Sequence, residues 1–138
     1  MTVVLIACCA QKLATTAPAA VLYCSPLFHK SLAYARTQTT DDHIFILSAK
    51  YGLVPLAQEI EPYEVTLLTM PLPLVHAWAD RVLSQLRLVA DVERDRFVLL
   101  AGARYRQFLV PRLRSVSVPM AGLGIGQQLH WLSTPRLA

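Results

Sequence analysis

This chain lacks the spacings that hold a structural zinc: it has no Cys-x-x-Cys pair and no His-x3-His, and His29, His43, His76 and His130 fall on separate segments. No metal is expected. Its three cysteines are too few and wrongly placed for a disulfide framework, because Cys8 and Cys9 are neighbours that could close only a strained ring. A reducing, cytoplasmic setting is therefore expected. The apolar runs are short and broken by charge or proline, none near the roughly 18 to 20 residues that cross a bilayer, so no membrane span is expected. Leu5-Ile6-Ala7-Cys8 has the shape of a lipoprotein cleavage box, but no basic residue precedes it and its apolar stretch is short, so it is not read as a signal peptide. Internal repeats, low-complexity tracts and Gly/Ser linkers are absent, and a single domain over 1–138 is expected.

The chain has 138 residues, 54% hydrophobic and 16% charged, enough apolar surface to offset the entropy of ordering. Val3 to Ala7, Ile44 to Leu47 and Phe97 to Ala101 are unalternating β-prone runs, the pattern of strands buried on both faces. Ser25 to Thr37 reads as a helix capped by Ser25, with Pro26 in its first turn and Leu27, Phe28, Leu32 and Ala35 on its apolar side. Leu74 to Val89 places Val75, Trp78, Ala79, Val82, Leu86 and Val89 at helical spacing. Tyr105 to Leu113 reads as a shorter helix, Val116 to Val118 as a weaker fourth strand, and Gly124 to Leu132 as a closing helix. Ala14 to Ala20 is the one loosened stretch, and Trp78 and Trp131 are expected in the core. Strands alternating with helices predict an α/β three-layer sandwich, a mostly parallel sheet of about four strands flanked by helices.

In open parallel sheets, ligands bind beyond the carboxyl ends of the strands, where loops converge. The segments after the four runs hold polar residues and glycines: Cys8 to Lys12, Ser48 to Gly52, Gly102 to Tyr105, and Pro119 to Gly124. Two of the three lysines, Lys12 and Lys50, fall there, and a compact ammonium suits phosphate or a developing oxyanion; plain surface lysines are the alternative. Gln58 to Glu64 holds three of the nine acids, Glu59, Glu61 and Glu64, any of which could be a general base, with Tyr51 or Tyr63 to stack on a base; a solvated loop is the alternative. Cys8 and Cys9 sit where a nucleophile might stand, although cysteines at a strand end are commonly small hydrophobes. Gly122-Leu123-Gly124-Ile125-Gly126 opens the last helix and lets backbone N–H groups approach an anion. It does not follow the first strand as a dinucleotide fingerprint does, so no cofactor is expected. The formal charge of +4 gives weak attraction to phosphate. The arginines between 81 and 114 are interleaved with apolar residues and read as solvated faces.

These motifs resemble a family of small, uncharacterised bacterial proteins defined as a domain of unknown function. The resemblance rests on Cys9-Ala10-Gln11-Lys12, Tyr23-Cys24-Ser25-Pro26-Leu27-Phe28, Ile46 to Leu53, Pro62-Tyr63, Ala101-Gly102 with Tyr105, and Gly122 to Gly126, and it covers nearly the whole chain. More distantly, Cys8 to Lys12, Ser48, Gly52-Leu53-Val54-Pro55 and Tyr63-Glu64 resemble the uracil-DNA-glycosylase-like domain of archaeosine synthases. The chain departs from that pattern with glutamate at 64 in place of aspartate, and it holds none of that family's additional RNA-binding domains. The resemblance implies a site for a nucleobase or nucleoside.

The resulting expectation is a nucleobase- or nucleoside-processing enzyme acting by N-glycosidic hydrolysis or transfer. Glu61, Glu64 and Lys50 are the candidate catalytic residues. Cys9, Lys12, Ser25, Ser48, Tyr51, Tyr63, Gly102, Tyr105, Gly122, Gly124 and Gln127 are the candidate substrate contacts. A noncatalytic nucleotide or nucleic-acid binding module, or a subunit docking on a partner or on a second copy as a homodimer, are the alternatives.

Overall fold

The uninterrupted apolar run near the N-terminus forms β1 (Thr2–Ala7), the middle strand of the sheet, and buries Val3, Val4, Leu5 and Ile6. The structure is a computed structural model that describes residues 1–134. Along the chain follow β2 (Ala17–Pro18), the one-turn helix α1 (Ala19–Leu22), α2 (Pro26–Gln38), β3 (Ile44–Ser48), β4 (Gly52–Pro55) and β5 (Glu59–Ile60). Then come α3 (Leu72–Leu86), β6 (Arg96–Leu100), the one-turn helix α4 (Ala103–Arg106), β7 (Ser115–Ser117) and α5 (Ile125–Ser133).

The main sheet has the order β4-β3-β1-β6-β7, and β4 alone runs antiparallel. The mostly parallel sheet is thus present with five strands rather than about four. Helix α2 packs on β1 and against α5, while α3 packs on β4 and against α4, so helices flank the sheet as a three-layer arrangement requires. From β1 the chain crosses through α2 to β3; it then crosses back through α3 to β6, on the other side of β1. Connections that leave in opposite directions open a crevice at the carboxyl ends of β1 and β6.

Local chemistry explains the elements that match the sequence. The Ser25 hydroxyl accepts the Phe28 N–H at 3.1 Å and Pro26 fills the first turn, which starts α2 where expected. In α3 the stripe Val75, Trp78, Ala79, Val82 and Leu86 is buried with Leu83 against the sheet, although the helix spans Leu72–Leu86 rather than 74 to 89.

Four readings need correction. Ser48 to Gly52, read as a strand-exit loop, is the turn of a hairpin, because Gly52–Pro55, for which no strand was expected, is the antiparallel strand β4. Tyr105 to Leu113 is not one helix. Helix α4 ends at Arg106 and a separate 3-10 turn covers Val110–Arg112, because Pro111 has no N–H to donate and its ring would meet the carbonyl of Gln107. The stretch from Ala14 to Ala20 is ordered in its second half, where Ala17 and Pro18 pair with Ile60 and Glu59 and Ala19 is fully buried. Trp131 is only half-buried, against the Tyr34 ring 4.9 Å away.

The hairpin turn depends on Gly52, whose φ of +78° is unfavourable for side-chain-bearing residues. A Cβ there would also lie 2.3 Å from Gln85 Oε1, which accepts the Leu53 N–H at 2.8 Å while Gln85 Nε2 donates to the Tyr51 carbonyl at 3.3 Å. Gly52→Ala is therefore expected to destabilise the protein by about 2 to 4 kcal/mol, combining a left-handed backbone with displaced hydrogen bonds. Urea unfolding checks this, and a midpoint equal to wild type would contradict it.

Candidate active site

A cleft of about 430 Å³ opens at the carboxyl end of β1, lined by Cys8, Cys9, Ala10, Lys12, Tyr63, Glu64, Val65, Thr66, Leu68 and Tyr105. Its size is in the range of small-molecule sites. Three segments distant in sequence meet there: the loop after β1, the loop after β5, and α4 beyond β6.

The first segment is held by backbone bonds. Leu13 N–H donates to the Leu22 carbonyl at 2.9 Å and Cys24 N–H to the Gln11 carbonyl at 3.0 Å, bracketing the bridge between Lys12 and Tyr23. The Lys12 ammonium consequently stands 4.4 Å from the Tyr63 ring centroid and 5.9 Å from that of Tyr23, within cation–π range. No carboxylate forms an ion pair with it among the described residues.

Tyr63 is fixed from beneath. Its hydroxyl accepts from Ser48 Oγ at 2.7 Å and shares a 2.6 Å hydrogen bond with the Tyr23 hydroxyl, while Ser48 Oγ accepts the Tyr51 N–H at 3.0 Å. Ser48 is itself anchored by Trp78, whose Nε1–H donates to the Ser48 carbonyl at 2.8 Å. The Tyr51 ring meets Tyr63 edge-on at 5.5 Å. On the opposite wall the Tyr105 hydroxyl accepts the Leu67 N–H at 3.4 Å and lies 3.6 Å from Cys8 Sγ, and its ring packs edge-on against Trp78 at 5.7 Å. A buried polar network satisfied in this way holds both aromatic walls at one spacing.

Burial keeps these phenols protonated. Desolvation pushes Tyr23 up to about 12 and Tyr105 up to about 12, and it pushes Tyr63 up as well, with the nearby Cys8 sulfur adding to the rise for Tyr63 and Tyr105. In the unfolded chain a tyrosine titrates near 10. The native state therefore retains protons that the unfolded chain releases above that pH, so the contribution of these groups to stability is complete below pH 10 and is lost as pH rises from 10 through about 12. A titration of tyrosinate absorbance should show part of the signal delayed to about pH 12 in native protein and restored to near pH 10 in urea. Identical native and urea curves would contradict the burial.

The structure separates the other candidate residues. Glu64 lines the cleft, whereas the Glu61 side chain does not; only its carbonyl takes part, accepting from the Tyr51 hydroxyl at 3.4 Å. Lys50 is exposed at the hairpin tip, its ammonium 5.2 Å from the Tyr51 ring centroid, and lies outside the cleft lining. Ser48 is fully buried and supports Tyr63 from behind. Ser25 and Gly102 face a narrow passage of about 70 Å³ that adjoins the cleft at Cys8 and Cys9. Gly122 lines a further chamber beyond that passage, and Gly124 N–H is taken by Gln127 Oε1 at 3.0 Å in the first turn of α5.

Cys9 Sγ lies 3.2 Å from the Gln11 carbonyl, and no histidine lines the cleft to act as a base for either thiol. Among the described residues no group of three or more His, Cys, Asp or Glu side chains is placed to hold a metal ion, and no helix is long and apolar enough to cross a membrane.

Sequence reasoning missed Tyr23, Thr66 and Leu68. A tyrosine directly after the apolar run Ala19 to Leu22 was a usable signal for Tyr23, since a buried hydroxyl needs a partner. Nothing in the sequence marked Thr66 or Leu68.

A family model described as a family of unknown function (DUF6884) matches residues 3–134. No curated protein and no solved structure matches the chain.

Proposed function

For a chain that belongs to this family of unknown function, we propose a nucleobase- or nucleoside-processing enzyme that cleaves or transfers at an N-glycosidic bond. The observation that supports this reading is the cleft itself: the aromatic walls Tyr63 and Tyr105, the Lys12 ammonium over the Tyr63 ring, and the Glu64 carboxylate converge around about 430 Å³. The small exposed parts of the Tyr63 and Tyr105 rings, each 8% exposed, offer a planar base aromatic contact that does not depend on its hydrogen-bond pattern. Lys12 then stands beside the base as charge develops on it.

In the hydrolytic reaction the bond between the sugar C1′ and the base nitrogen breaks with its electron pair going to the base. The water oxygen bonds to C1′, the Glu64 carboxylate takes the water proton, and the departing base takes a proton from Lys12 or from solvent. Tyr105 and Tyr63 remain neutral phenols through this step and act as wall and hydrogen-bond partners.

The test is release of free base from unmodified and modified nucleosides, DNA and RNA by purified protein, followed by chromatography. Release that depends on Lys12 and Glu64 supports the reading; no release from any of them removes it. The exposure of Glu64, which leaves its carboxylate open to water, favours a second reading, in which the cleft binds a nucleotide or nucleic acid without turnover. Saturable binding with no product would select that one.

A further inference from the structure

Past the narrow passage, a second chamber of about 220 Å³ lies between the carboxyl ends of β6 and β7. Its lining includes Gly102, Ala103, Arg106, Gly122 and Gln128, and among the described residues it holds no acidic side chain. It adjoins the passage at Ala101, Gly102, Met120 and Gln128, and the passage adjoins the main cleft at Cys8 and Cys9. The three spaces stand in a row, a groove along the carboxyl ends of β1 and β6 in which each shares lining residues with the next.

Arg106 is half-buried in this chamber. Nη1 donates to the Ala101 carbonyl at 2.8 Å, which fixes the guanidinium plane, and no carboxylate forms an ion pair with it among the described residues. Among the described arginines between 81 and 114 only Arg94 and Arg112 form ion pairs, and of the others Arg104 and Arg106 are half-buried; Arg106 is the one that lines the chamber. A partly desolvated cation is unfavourable unless a counter-charge is supplied. The fork geometry of a guanidinium matches a phosphate, and among the described residues Arg106 has no hydrogen-bond partner besides Ala101. Gly122, also in the lining, has a φ of +80° and nothing within 4 Å of an added Cβ.

We infer that this chamber is a phosphate subsite, with Arg106 as its anchor, and that the ligand of the groove is a nucleotide, its base in the Tyr63–Tyr105 cleft and its phosphate at Arg106. The identification of the ligand as a nucleotide rests on the nucleoside reading above; the phosphate site rests on the chamber. The phosphate comes from a free nucleotide or from an internal position of a strand, and competition separates these. A 5′-mononucleotide that displaces inorganic phosphate where a short oligonucleotide does not indicates the free nucleotide; displacement by the oligonucleotide indicates the strand.

Titration calorimetry with inorganic phosphate and with ribose 5-phosphate, using ribose as the neutral control, tests the subsite. Wild type should bind both phosphates and bind ribose far more weakly, and Arg106→Gln should lower phosphate affinity by about tenfold or more, as expected for loss of a charge-assisted pair. Arg106→Lys should fall between the two. Should Arg106→Gln fail to fold, wild-type protein alone decides: phosphate should protect Arg106, and not the exposed Arg87, from an arginine-modifying dione detected by mass spectrometry. Equal phosphate affinity in wild type and Arg106→Gln, or no protection of Arg106, overturns the subsite. Absence of base release with Arg106-dependent phosphate binding intact removes the glycosidic reading and leaves the subsite standing.

Discussion

Glu64→Gln is expected to slow base release by about 100-fold or more, the usual contribution of a positioned general base. The substitution keeps the shape of the side chain and removes its ability to take a proton. Among the described residues Glu64 is the only carboxylate lining the cleft, so no described neighbour stands ready to replace it. The loss should fall on kcat with KM little changed, because the aromatic walls and Lys12 that hold the base are untouched. Glu61→Gln supplies the contrast. Its side chain lies outside the cleft lining, and its part in the fold is played by a backbone carbonyl that the substitution preserves, so activity should stay close to wild type. Steady-state rates of base release for the two variants check this; a Glu61→Gln loss as large as that of Glu64→Gln would move the base out of the cleft.

The largest effect on stability is expected at Trp78. Trp78→Ala should destabilise the protein by about 3 to 5 kcal/mol, the range for truncating a large buried aromatic. Trp78 is only 6% exposed, its Nε1–H holds the Ser48 carbonyl, and its ring packs edge-on against Tyr105. The damage is thus not confined to a cavity. Ser48 carries the hydrogen bond that seats Tyr63, and Tyr105 is the facing wall, so both walls of the cleft lose support together. Leu88→Ala, at a position 86% exposed, should stay within about 0.5 kcal/mol of wild type. Urea unfolding of the two variants gives the comparison, and a Trp78→Ala midpoint near that of Leu88→Ala would contradict the anchoring role.

Some of this organisation was legible in the sequence for physical reasons. Continuous apolar runs such as Val3 to Ala7 and Phe97 to Ala101 suit only strands covered on both faces, and Ser25-Pro26 starts a helix because one supplies an oxygen and the other a fixed φ. The stripe from Val75 to Leu86 has helical period and no competing signal. β4 was hidden because Gly52 and Pro55 bound a very short segment whose pairing depends on a glycine at positive φ and on Gln85, a partner far along the chain. The break after Arg106 was readable from Pro111, but the apolar residues around it mimic helical spacing.

For the site, the residues around Lys12, Tyr63 and Tyr105 stood out as polar groups at or near strand exits, and the fold brings these together. The choice between Glu61 and Glu64 could not be read from spacing. It depends on which of two exposed carboxylates turns toward the β1 loop, a tertiary matter. Arg106 was indistinguishable from the other arginines between 81 and 114, since what sets it apart is its place in the lining of the chamber between β6 and β7.

The ligand proposed for the groove at the carboxyl ends of β1 and β6 bears a nucleobase. The most direct measurement is mapping of backbone amide shifts in labelled protein titrated with nucleosides and nucleotides. Such a ligand should give saturable shifts at Cys8 to Lys12, Tyr63 to Thr66 and Gly102 to Arg106, with the segments at 39–42 and 91–95 at the opposite ends of the strands unchanged. Shifts confined to those opposite ends, or none with any of the ligands, would contradict the proposal.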